Sequence, residues 1–147
     1  ILRIVRQYGL NSKILTKGSY SLIRRDFDLL KTARTELGIT VCFVDDRMRQ
    51  EWEPNAAPVT DRFRILKEAH EEGIYTWVSL EPVIDPAQAL LVIKQAAPYV
   101  DFWKVGKLNH MKEFEQKVDW HQFHIDVVEL LKSLKARYYI KDDLKKY

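Results

Sequence analysis

A strand-then-helix phrase recurs along this chain, and it limits the fold more than any other feature. The β-prone runs are Ser12–Lys17 (SKILTK), Ile39–Val44 (ITVCFV), Tyr75–Glu81 (YTWVSLE), Val100–Gly106 (VDFWKVG) and Arg137–Lys141 (RYYIK). Their starts, near 12, 39, 74, 100 and 137, lie 26 to 37 residues apart. A strand plus its crossover helix needs about that length in a parallel sheet.

The intervening segments carry helical spacing. Arg25–Glu36 places Phe27, Leu30, Ala33 and Leu37 on one stripe, with Gly38 as its stop. Thr60–Glu72 has Thr60 as an N-cap, Asp61 in the first turn and Gly73 as its close. Pro86–Ala97 has Asp85 as N-cap and Pro86 at the first helical position. His121–Lys135 turns Phe123, Val127, Leu130, Leu131 and Leu134 inward. A polar loop with two prolines follows Val44. The chain opens at Ile1 on what reads as the tail of an amphipathic helix, ILRIVRQYGL, so a portion of a longer protein is expected.

Near-continuous apolar strands predict a parallel sheet covered on both faces. No G-x-G-x-x-G or Walker A sequence follows any strand, which weakens a nucleotide-binding doubly wound sheet. Five strands are too few for a closed eight-stranded barrel of ~250 residues. The expected architecture is therefore α/β, with repeated parallel βα units forming a partial, half TIM-like barrel over residues 1–147 as one domain.

Composition bounds the function. The chain has 147 residues, 46% hydrophobic and 31% charged, which suits a soluble globular fold. Its 24 basic and 21 acidic residues leave a net charge of +3, too balanced to mark a nucleic-acid footprint. No run approaches the roughly 20 apolar residues a membrane span needs. The lone Cys42 excludes an internal disulfide and fits a reducing compartment, so a cytoplasmic location is expected.

Ligands of parallel α/β folds bind at the carboxyl ends of the strands, and those ends are polar here. They carry Thr16 and Lys17, Asp45 and Asp46, Ser79 and Glu81, Lys104 and Lys107, and Lys141 and Asp142. Glu81 stands at the end of an apolar run, where an unpaired buried carboxylate would cost several kcal/mol, on the order of other buried charges. It needs a partner, solvent or a ligand. Lys104 lies inside its strand, so a buried Lys104–Glu81 pair is one solution.

ILTKG, RDFDLL, ITVCFVDD, the EPNAAP loop, SLEPVIDP, WKVGKLN and YYIKDDL, in that order, resemble the C-terminal half of a radical SAM barrel. The likeness is to the branch that includes spore photoproduct lyase, and it covers essentially the whole chain. It implies a full-length parent that cleaves S-adenosylmethionine reductively at a 4Fe-4S cluster, held by a C-x-x-x-C-x-x-C loop, for radical chemistry on an unknown substrate. This chain has one cysteine and no such loop. The resemblance therefore implies that it neither holds the cluster nor turns over alone, and that its partner is the missing N-terminal half of the barrel. Nucleic acid enters as a ligand only through the same resemblance.

Carried onto matching positions, the resemblance makes Thr16, Lys17 and Asp45 the cofactor-binding candidates and Glu81 and Lys104 the substrate-side ones. Glu53 and Arg62, flanking the EPNAAP loop, form either a ligand contact or an ion pair that anchors the loop. No metal ligands are assigned: Cys42 reads as a core residue, and His121 and His124 as solvated or capping. Lys141, Lys145 and Lys146 with Asp142 and Asp143 read as a solvated tail. The rival expectation is a non-catalytic α/β module that self-associates through an open sheet edge.

Overall fold

The computed structural model describes residues 1–147. Helix α1 (Leu2–Gln7) leads into β1 (Ser12–Thr16), followed by two short helices, α2 (Tyr20–Arg25) and α3 (Phe27–Thr32). Strand β2 (Thr35–Thr40) is followed by α4 (Asp46–Trp52) and α5 (Val59–Glu71). Then come β3 (Thr76–Val83), α6 (Pro86–Ala96), a 3-10 turn at Ala97–Tyr99 and β4 (Phe102–Lys107). The chain ends with α7 (Lys112–Glu115), α8 (Trp120–Ser133), β5 (Tyr138–Ile140) and α9 (Asp142–Lys145). No helix is long and apolar enough to cross a membrane.

All five strands are parallel, in the order β1-β2-β3-β4-β5. This is the open α/β sheet of a partial TIM-like barrel. Each crossover advances by one strand in the same direction. Because βαβ crossovers share one hand, every connecting helix falls on the same side of the sheet. Between that side and the helices lies the core, with Ile39, Val78, Leu80, Trp103 and Val105 from the strands and Ile65, Leu66, Val92, Ile93, Val127 and Leu131 from the helices.

The other face corrects the expectation of a sheet covered on both sides. Alternation places Lys13, Leu15, Glu36, Gly38, Trp77, Phe102, Lys104 and Tyr139 there. Leu15 is 50% exposed and Tyr139 44%. Trp77 is buried on this face, lying flat over Gly38 with the Lys13 ammonium 5.1 Å from its ring centre. The strands look apolar on both faces because Trp77, Phe102 and Leu15 line a concave surface rather than a second helix layer.

Four local expectations also change. The helix foreseen at 25–36 is only α3 (Phe27–Thr32), with α2 ending just before it at Arg25; the chain leaves α3 through Arg34 at φ 47°, and Thr35 and Glu36 already belong to β2. Gly38 is inside β2 rather than at a helix stop. A Cβ there would lie 2.2 Å from Cε2 of Trp77, so the close approach of the indole, not a turn, requires glycine. Pro58, not Thr60, caps α5, and the Val59 N–H donates to Asp46 Oδ1 at 3.0 Å. The polar loop after Val44 contains α4. Asp85 does cap α6, accepting from Gln88 N at 3.0 Å.

Candidate functional site

Lys17 follows the last residue of β1 and reaches Glu53 Oε1 at 2.6 Å. Glu53 closes α4, and its other carboxylate oxygen accepts from Nη1 of Arg62 on α5, also at 2.6 Å. Arg62 is 1% exposed and further donates to Thr40 O at 3.0 Å and Ala57 O at 2.9 Å. A buried guanidinium needs such a set, because each donor left without water requires an acceptor. Its Nη2 is buried without one. Ala57 N in turn donates to Lys17 O at 2.9 Å, which ties the EPNAAP loop to the strand end. Lys17 stays partly exposed on a cleft of about 470 Å³, shared with Gly18, Trp52, Glu53, Pro54 and Asn55. Trp52 packs edge-on against Phe114, with ring centres 4.9 Å apart, which fixes that wall.

A second cluster stands at the ends of the next strands. Glu81 forms an ion pair and hydrogen bond with Lys141, just beyond β5, and Lys104 Nζ lies 3.9 Å from its other oxygen. Gly106 is the floor: a Cβ there would meet Cδ of Lys141 at 2.7 Å and Cδ of Glu81 at 3.2 Å. The hydrogen bond from Lys141 to the Glu81 carboxylate raises the lysine above its ordinary value. Both lysines and Glu81 are only half-buried. The Lys104–Glu81 pair expected to be buried is therefore half open to solvent, because no helix covers this face.

Cys42 stands just past the end of β2. It is buried, and burial pushes its thiol up to about 12, with the Glu53 carboxylate acting the same way. Lys17, Arg62 and the Glu81 main chain oppose this weakly. A neutral, enclosed thiol of this kind is a core side chain rather than a metal ligand. No group of three or more His, Cys, Asp or Glu side chains converges anywhere in the structure.

The structure brings Lys17, Glu53 and Arg62 together, and Glu81, Lys104 and Lys141. It leaves two other candidates apart. The Thr16 hydroxyl accepts from Gly18 N at 2.9 Å and lines the helix side of the sheet with Ile14 and Leu37. Asp45 caps α4, accepting from Arg47 N at 2.8 Å. The neighbouring Asp46, named at the same strand end but not chosen as a candidate, has the larger structural role. It pairs with Arg49 at 2.8 Å and holds the start of α5, and the Arg49 hydrogen bond, with that of Val59 N, pulls its carboxyl down to about 2. Lys141, read as part of a solvated tail, is the main partner of Glu81. A lysine at the last strand end, level with Glu81, was the available signal.

No protein-family model matches the chain. An uncharacterised protein of Methanocaldococcus jannaschii is 27% identical over 125 residues, which cover 84% of this chain and 48% of that protein. The chain thus spans about half the length of the curated relative it matches. Streptococcus suis SuiB bound to S-adenosylmethionine shares the fold over 95% of this chain and 42% of its own, with a TM-score of 0.59 at 11% identity. A domain of pyruvate-formate lyase-activating enzyme from Bacteroides vulgatus matches over 95% of this chain and 88% of its own, with a TM-score of 0.66 at 13% identity.

Proposed function

We propose that this chain is the C-terminal portion of a radical SAM protein resembling the spore photoproduct lyase branch, completed by an N-terminal half-barrel that covers the open face. The observation that carries this reading is the fold shared with SuiB, a protein crystallised with S-adenosylmethionine. The resemblance of ILTKG and the elements after it supports the same reading from the sequence.

The residues present do not fit a 4Fe-4S cluster. There is one cysteine, enclosed and held neutral, where three thiolates are needed. No step is routed through a cluster on this chain. The Lys17 cleft suits the carboxylate of S-adenosylmethionine, which would supply the reacting group when bound. Lys17 is the partly exposed donor for that carboxylate, and Glu53, whose two oxygens are taken by Lys17 and Arg62, holds the lysine in place. Asp45 and Thr16 support this cleft from outside it, by capping α4 and shaping the turn after β1.

The test uses the full reading frame that encodes this chain, purified without oxygen. With dithionite supplied as the electron donor, S-adenosylmethionine cleavage to methionine and 5′-deoxyadenosine, the radical taking a hydrogen atom from substrate or solvent components, is expected. Lys17→Ala should weaken cofactor affinity about tenfold, the loss of one charge-assisted contact. A reading frame with no three-cysteine loop before Ile1, or unchanged affinity in the variant, overturns the proposal.

A further inference from the structure

The two clusters at the strand ends gather the cations Lys17, Arg62, Lys104 and Lys141 around the carboxylates Glu53 and Glu81, with Asp143 also acting on Lys141. They differ in how the cations are held. Arg62 is enclosed and bonded to Glu53 and to two carbonyls. Lys104 is not: at 3.9 Å from Glu81 it is beyond hydrogen-bond reach. The Glu81 oxygen that does make a hydrogen bond belongs to Lys141. Glu81 therefore hydrogen-bonds one half-buried ammonium group and leaves the other without a hydrogen bond, while Asp143 adds a second carboxylate charge near Lys141.

A purely structural cluster would engage both ammonium groups in hydrogen bonds, and Lys104 makes none to Glu81. This cluster is open on the face opposite the helices. Gly106 leaves the space in which Lys141 crosses to Glu81, and Lys104 stands in register with Tyr139, which is exposed. It also lies at the carboxyl ends of adjacent parallel strands, where this class of fold binds ligands.

We infer that Lys104 and Lys141 together receive an anionic group of the substrate, a phosphate or a carboxylate, while Glu81 holds the two lysines in position. The inference rests on the proposed function only in taking this edge as the ligand side; it does not depend on Lys17 or on the cofactor.

Titration of the isotopically labelled 147-residue chain with inorganic phosphate, and separately with acetate, tests it by NMR against sodium chloride at equal ionic strength. Saturable shifts are expected at Gly106, Lys104 and Lys141, and whichever anion gives them identifies the group. Lys104→Gln should weaken that binding about tenfold, as loss of one of two charged contacts does. Gly106→Ala keeps both charges but displaces Lys141, and should weaken binding as well. Shifts that match the chloride control, that lie elsewhere, or that survive both Lys104→Gln and Gly106→Ala overturn the inference. Loss of S-adenosylmethionine cleavage in Lys17 variants of the longer protein leaves it standing.

Discussion

Single side chains at the strand ends are set by what reaches them rather than by their own burial. Arg62 is enclosed and Asp46 is not, yet both fix the path of the segment between β2 and α5, Arg62 through carbonyls and Asp46 through the Val59 N–H. Asp46 is the one whose role can be read from pH. Hydrogen bonds from Arg49 and Val59 lower its carboxyl from 3.8 to about 2. A folded value below the unfolded one means that the ionised group adds stability in full above about pH 4, and that this is lost as the pH falls through 2. Urea unfolding of wild type and Asp46→Asn from pH 7 downward is expected to show a constant gap to about pH 4 that narrows toward pH 2. Parallel curves over that range would reject the assignment. Lys141 has the opposite sign: raised by Glu81, its contribution is lost only as the pH climbs through its folded value, well above the working range.

At the scale of elements, β2 and β3 meet where a glycine faces an indole. Trp77 covers Gly38 so closely that any Cβ would overlap the ring. Gly38→Ala is therefore expected to destabilise by roughly 1–3 kcal/mol, the usual cost of overpacking. Replacing Trp77 by Leu in the same chain should recover part of that loss, as coupled neighbours do. Additive losses in urea melts would mean that the ring is free to move aside. The same contact explains why β2 was hard to read. Leu30, Ala33 and Leu37 continue a helical stripe, and Gly38 sits where a helix would stop, so the sequence around Thr35 looks helical. Only Trp77, a partner distant in the chain, shows that the glycine belongs to a strand. By contrast α6 was legible, because Asp85, Pro86 and the apolar run after them are local signals, and the structure uses them as such.

The whole molecule is one-sided, and this explains both what the sequence revealed and what it hid. Strand spacing and parallel order were visible because they are properties of segment lengths. The open face was not, since Leu15, Trp77 and Phe102 look like core residues whatever covers them. Ion-pair partners at the strand ends were hidden for the same reason: Glu81 and Lys141 meet only once the sheet is assembled. One-sidedness also separates the two readings of the open face. Leu37 faces the helices at 1% exposure and Leu15 faces away at 50%. Leu37→Ala should then cost about 2–5 kcal/mol, as core truncations do. In the chain by itself, Leu15→Ala should stay within about 0.5 kcal/mol, as at other surface positions. If Leu15→Ala proves as costly as Leu37→Ala, and its cost grows with protein concentration, a second copy covers the face. The self-associating module then replaces the half-barrel as the better account. Equal stability at every concentration, with the larger loss appearing only in the full reading frame, is the outcome that a covering N-terminal half requires.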